Sequence, residues 1–168
     1  MQLPEKYNPL IAAIKTLAPE GAVTVTETRG DVQLLVPREI VHPVLKMIKE
    51  EFHYTYLSDM VATDRYTSED RFEMIWNIVS LKDRSRVFVK TRIPEDNPVL
   101  PTTCDIWPAA EWNEREAFDM MGIRFDGHPD LRRLFLPEDF EYFPLRKEFP
   151  LMGVPGSIPL PSTSPDVD

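Results

Sequence analysis

Residues 104–133 collect most of the side chains in this sequence that could move protons. Cys104, Glu111, Glu114, Glu116, Asp119 and His128 fall inside this window, together with Arg115, Arg124, Arg132 and Arg133. A histidine set beside a carboxylate is the usual pair for general acid–base work, and His128 with Glu114 or Glu116 would form such a pair in a free-standing enzyme. Cys104 is the only cysteine, which excludes an internal disulfide and an iron–sulfur cluster held by several local thiolates. With no histidine near it in sequence, Cys104 reads as a small residue leading into a helix rather than as a nucleophile. His42 and His53 have no ligand partner at helical spacing and read as cap or surface residues. The sequence holds no glycine-rich phosphate loop, Gly-x-Ser-x-Gly or Cys-x-x-Cys. Its catalytic inventory is therefore thin: no catalytic, cofactor-binding or metal-ligating residue is assigned.

These side chains must be positioned by a helix and the loop after it. Pro108 suits a first helical position and Gly122 the position just past the end, so a helix is predicted from Pro108 to Met121. Projected at ~3.6 residues per turn, Ala109, Trp112, Ala117, Met120 and Met121 share one face, expected to be buried. Glu116 falls near the middle of that face, and a buried carboxylate needs a cation, for which Arg124, Arg132 and Arg133 are candidates. Glu111, Glu114, Arg115, Phe118 and Asp119 project to the other side, where Glu111 and Arg115 are spaced for an ion pair. Phe118 there would dock on a second protein or meet another part of its own chain. The stretch 123–133, with the Asp126-Gly127 turn signal and Pro129 after His128, reads as an ordered loop.

Upstream lies a body of alternating elements. A short helix is predicted over 9–17, with a stripe of Leu10, Ile11, Ile14 and Leu17. Strands follow over 23–26 and 32–36 as a hairpin, then a helix from about residue 40 or 42 to 52. Strands over 54–63, 72–81 and 86–93 should form an antiparallel meander, which the hairpin extends. Phe72, Met74, Trp76, Ile78 and Ser80 share one face, and the two helices are its available cover. Arg86, Lys90 and Arg92 form either a solvated face or a patch for an acidic partner. Pro94 to Pro101 connects this body to the helix, and Thr102, Thr103 and Asp105 can cap a short turn before Trp107. The fold class is α+β: a mixed or antiparallel sheet with helices packed on one face, then a helix, an ordered loop and an extended proline-rich tail. The divisions are 1–93, 94–151 and 152–168.

The net charge of −9 argues against nucleic acid or an anionic membrane surface as a partner held by charge. No stretch approaches the ~20 apolar residues of a membrane span, and the first residues lack the pattern of a signal peptide.

Glu114-Arg115-Glu116, Asp119-Met120-Met121-Gly122-Ile123, Phe125 to Arg133 and Pro144 to Pro150 together closely resemble the 30 kDa subunit family of respiratory complex I. Its members are the C subunit of bacterial NADH:quinone oxidoreductase and the J subunit of the cyanobacterial and chloroplast enzyme. Met121 stands where the family more often has Phe or Tyr. The resemblance implies a non-catalytic assembly subunit of the peripheral arm, on the cytoplasmic side of the inner membrane. It implies docking on the 49 kDa-type (D) subunit near the quinone site, beside other peripheral-arm subunits. FMN, iron–sulfur clusters and quinone would belong to the assembled complex, with no cofactor in this chain. Some relatives are fused to the D subunit, and this chain resembles the unfused form. Contact roles carried over by resemblance fall on Glu114, Arg115, Glu116, Phe118, Asp119, Gly122, His128, Pro129, Asp130, Arg132, Arg133, Arg146 and Lys147. The corresponding subunit of a membrane-bound hydrogenase is the alternative of the same kind.

Overall fold

The protein is described by a computed structural model covering residues 5–67, 69–150 and 153. The element order is α1 (Asn8–Leu17), β1 (Thr24–Thr28), β2 (Asp31–Leu35), α2 (Val41–Glu50), β3 (Tyr56–Asp64), β4 (Phe72–Ser80), β5 (Ser85–Ile93), β6 (Val99–Pro101), α3 (Ala110–Met121) and β7 (Arg124–Asp126). Alternation of apolar and polar residues makes β4 and β5 strands with one wholly buried row each. Short turns then pair β3 with β4 and β4 with β5 antiparallel.

The hairpin β1–β2 joins this meander through a parallel pairing of β2 with β5, giving the sheet order β1-β2-β5-β4-β3. The inward row contains Phe72, Met74, Trp76, Ile78, Val87, Val89 and Ile93. It forms one core with Leu10, Ile11 and Ile14 of α1 and with Val41, Val44, Leu45 and Ile48 of α2. That face of the sheet is therefore the covered one, as its sequence pattern requires. On the other face Arg86 pairs with Asp31, and Lys90 and Arg92 flank Glu73.

The signature segment belongs to the same core. Leu100, Ile106, Trp107, Ala110, Ala117, Met121, Ile123 and Phe125 all join it. The proline-rich connector supplies β6, which pairs in parallel with β7 just beyond α3, a pairing not foreseen in the sequence. Short three-residue strands carry too little periodicity to register as such.

Several boundaries differ from expectation. The signature helix begins at Ala110 and not at Pro108, because the carbonyls of Trp107 and Pro108 already close a turn onto the Ala110 and Glu111 N–H groups. The first helix includes Asn8, which makes no side-chain cap, since a preceding 3₁₀ turn delivers the chain instead. Leu17 of its predicted stripe is exposed. Strand β3 starts at Tyr56, after Tyr54 turns inward and its hydroxyl accepts a hydrogen bond from Ser85. The expected proline-rich tail, 152–168, lies outside the described residues except for Gly153.

Candidate functional site

The face of α3 expected to be apolar and buried is covered at Ala117, Met120 and Met121, which lie in or against the core, but not at its other positions. Trp112 is 58% exposed and Glu116 and Ala109 are also exposed, whereas Glu114 and Asp119 are fully buried and Arg115 nearly so. The projection missed at Ala109, Trp112, Glu116 and the buried polar residues because burial was assigned by hydrophobicity alone. Here the polar side of the helix is covered by its own flanking segments, which satisfy each buried group.

Glu114 is held from the preceding connector. Its carboxylate accepts from Thr102 Oγ1 at 2.6 Å, from the Thr103 N–H at 2.6 Å and from Thr103 Oγ1 at 2.7 Å. The Thr102 and Thr103 side chains thus hold α3 rather than only capping a turn. Asp105, also foreseen as a cap, meets His42 at 3.0 Å.

Arg115 and Asp119 are held from the following loop. The Arg115 guanidinium donates to the carbonyls of Arg132 and Arg133 at 3.1 and 3.0 Å, and it lies over the Trp112 ring. The expected Glu111–Arg115 ion pair is therefore not made. One carboxylate oxygen of Asp119 accepts three consecutive N–H groups, from Leu134, Phe135 and Leu136, at 2.7–3.0 Å. The other oxygen takes Arg133 at 2.7 Å. Burial pushes the Asp119 pKa up, but the Phe135 N–H, Arg133 and the two neighbouring N–H groups outweigh it and hold the group below the ordinary aspartate value. The clamp between helix and loop exists, but Asp119 and Arg133 make it. Glu116 with Arg124, Arg132 or Arg133 does not, because Glu116 faces solvent.

The downstream segment is locked in the same way. Arg133 reaches the Phe140 carbonyl and lies over the Phe143 ring. Arg146 stacks on Phe143 and Phe72 and donates to the Met121 carbonyl at 2.8 Å. Burial draws its guanidinium below the ordinary arginine value. Gly122 ends α3 in the left-handed region at φ 76°, and a Cβ there would lie 2.7 Å from Phe143, so the glycine serves both conformation and close approach.

Beyond it, the Lys147 N–H donates to Asp64, whose carboxylate also grips Arg71 at 2.7 Å. Arg71 in turn meets Glu95 and Glu148. The Arg71 guanidinium, together with the Lys147 and Tyr66 N–H groups, holds Asp64 at about 2 despite burial. Sequence reasoning missed Arg71 and Asp64. Their only signal was a pair of opposite charges bracketing a polar connector.

Of the remaining candidates, Asp130 and Arg132 form an exposed pair at 2.7 Å, Pro129 is exposed, Phe118 is half-buried, and the Lys147 side chain is free of ion pairs among the described residues. His128 Nε2 lies 3.1 Å from the Glu111 carbonyl, and its Nδ1 lies 3.0 Å from the Asp130 N–H. A carbonyl only accepts and an N–H only donates, so Nε2 serves as the donor and Nδ1 as the acceptor, with both nitrogens committed.

Ligand atoms of Cys104, Glu114 and His128 all lie within 4.8 Å of one another, a donor set that could hold a transition metal. The chemistry of these donors fits poorly. Both imidazole nitrogens and both Glu114 oxygens already have partners. Burial pushes the Cys104 thiol up to about 11, so it stays protonated and points at Glu114. Cys104 is hydrogen-bonded to Glu114, and His128 is bonded separately to the Glu111 carbonyl, so connector and loop are each tied to the helix.

This geometry is that of a segment held in one shape. The family model described as the respiratory-chain NADH dehydrogenase 30 kDa subunit matches residues 34–155. The chain belongs to this family. The C 2 subunit of NADH-quinone oxidoreductase from Rhizobium meliloti is 43% identical over 140 residues, covering 79% of this chain and 76% of that one. The C/D 2 subunit of NADH-quinone oxidoreductase from Aquifex aeolicus is 39% identical over 136 residues, covering 81% of this chain and 23% of its own length. A chain of the membrane-bound sulfane sulfur reductase, an archaeal respiratory membrane complex, superposes with TM-score 0.69 at 27% identity and covers 88% of each chain. The chain is thus a complex I-type subunit of an NADH-quinone oxidoreductase. No helix among the described residues is long and apolar enough to cross a membrane.

Proposed function

We propose that this chain is a non-catalytic assembly subunit of the peripheral arm, and that it docks on the 49 kDa-type (D) subunit through the outer surface of residues 112–145. One observation carries the reading: the groups best suited to chemistry are spent on holding the segment's shape, while four of its large apolar side chains face outward. Glu114, Asp119 and His128 have their polar atoms committed to backbone, threonine and Arg133 partners. Trp112, Phe135, Tyr142 and Leu145 are exposed at 47–67% on that ordered frame. Exposed aromatics on a rigid support are what an interface core uses. The relative named as a C/D subunit supports the D-type partner, because both letters fall on one chain there.

FMN, iron–sulfur clusters and quinone then belong to neighbouring subunits, and this chain sits as a peripheral component on the cytoplasmic side of the membrane. The reading based on acid–base catalysis by His128 has no free ring nitrogen to work with. Likeness to a chain of a sulfane sulfur reductase indicates that this fold serves complexes with different electron acceptors, so the acceptor is assigned from the sequence relatives.

The test is affinity purification of the native membrane complex with Trp112→Ser and Phe135→Ser. Recovery of the D-type subunit should fall while the thermal midpoint of the isolated chain stays unchanged. Full recovery of the complex with both substitutions would refute the docking surface, and substrate turnover by the isolated chain that is lost in His128→Ala would refute the non-catalytic assignment.

A further inference from the structure

Strand β3 is one of the two outer strands of the sheet, and α3 packs beside it. The two leave a groove of about 290 Å³, floored by Met60, Ala117 and Met120 and rimmed by Asp59, Glu116 and Leu145. Its backbone edge can be accounted for residue by residue. The Arg65 N–H bonds to Arg71 across the ladder, and antiparallel pairs alternate between bonded and unbonded. Val61 and Thr63 therefore face β4, while Met60 and Ala62 turn their peptide groups outward.

Met60 is already blocked: its N–H goes to the Asp59 carboxylate at 2.8 Å, and its carbonyl accepts from Asn113 at 3.3 Å. The half-buried Ala62 is left with an N–H and a carbonyl that have no partner among the described residues. The Asp59 and Glu116 carboxylates on the rim have no cation among the described residues, although one Asp59 oxygen accepts the Met60 N–H, whereas Asp119 and Asp130 near α3 are paired with arginines.

We propose that this groove takes a short extended segment of a partner polypeptide that carries a lysine or arginine next to an apolar side chain. The segment pairs with Ala62 by its backbone for about one residue pair, the block at Met60 stopping the ladder there. Its cation meets Asp59 and Glu116, and its apolar side chain covers Met60, Ala117 and Met120. Charge selects a partner over residues 151–168, which contain neither lysine nor arginine.

The proposal rests on the reading of the chain as a subunit held by other polypeptides. It is tested in the full chain within its native complex by a photo-cross-linking residue at Val61, on the groove, and by a second at Phe135, on the surface proposed for docking. The Val61 probe should capture a partner peptide containing a lysine or arginine beside an apolar residue. Asp59→Lys with Glu116→Lys should lower that yield roughly fivefold or more, and Asp59→Asn with Glu116→Gln should lower it less, while capture at Phe135 persists. Capture at Phe135 with none at Val61 would overturn the groove assignment and leave the subunit reading standing, and capture at neither would remove both. A Val61 cross-link to residues 151–168, to a second copy of this chain or to a peptide without a basic residue would also overturn it, as would a yield indifferent to the charge reversals.

Discussion

Asp119 shows how a single side chain can organise a loop. A carboxylate is the one side chain that can accept three consecutive backbone N–H groups and an arginine together without a proton of its own in the way. The nearby thiol illustrates the opposite case. Burial first, and the Glu114 carboxylate besides, keep Cys104 protonated near neutral pH with its pKa about 11. Iodoacetamide at pH 8 should therefore modify Cys104 in the folded chain on the order of a hundredfold more slowly than a free thiol, and at the ordinary rate in denaturant. Mass spectrometry over time checks it. The sequence placed Glu114, Arg115, Asp119 and His128 in the right thirty residues but could not say which would be buried. Helical projection sorts residues by apolarity, and here burial followed hydrogen-bond supply from Thr102, Thr103 and residues 132–136. Those donors are mostly backbone groups, which leave no mark in composition.

At the scale of elements, helices and strands were legible wherever a period ran for two turns or five residues. The meander, the hairpin, α2 and the glycine stop of α3 were all foreseen for that reason. The locks between elements were not, because Asp64 and Arg71 meet Glu148 only after the chain has folded back.

Two predictions belong at this scale. Gly122→Ala places a Cβ 2.7 Å from Phe143 in a left-handed conformation. It should cost about 2–4 kcal/mol in denaturant unfolding, combining conformational and steric terms. The second concerns pH. Asp64 titrates at about 2 when folded, held down first by the Arg71 hydrogen bonds. An unfolded aspartate titrates near ~3.9, so its contribution is complete above ~pH 4 and disappears as pH falls towards ~2. About 2 kcal/mol of acid-sensitive stability should be lost over that window, and Asp64→Asn should remove this part of the pH dependence while lowering stability at pH 7.

Taken whole, the molecule is a two-layer body in which residues 127–150 are fastened by polar contacts rather than by secondary structure. Residues 127–150 hold neither helix nor strand, yet they are pinned at Asp119, Met121 and Asp64. Hydrogen exchange should separate these from an ordinary loop. The Leu134, Phe135 and Leu136 amides should exchange more slowly than their exposed neighbours, and Asp119→Asn should abolish that protection while leaving β4 and β5 unchanged.

The parallel seam between β2 and β5 bears on how such a chain is made. During synthesis the first hairpin leaves the ribosome as far ahead of its sheet partner as Leu35 is from Ser85. It must wait, with one edge bare, until the meander supplies the strand it joins. Birth order and pairing order thus run against each other, and the nascent hairpin is where a chaperone would find the most to protect.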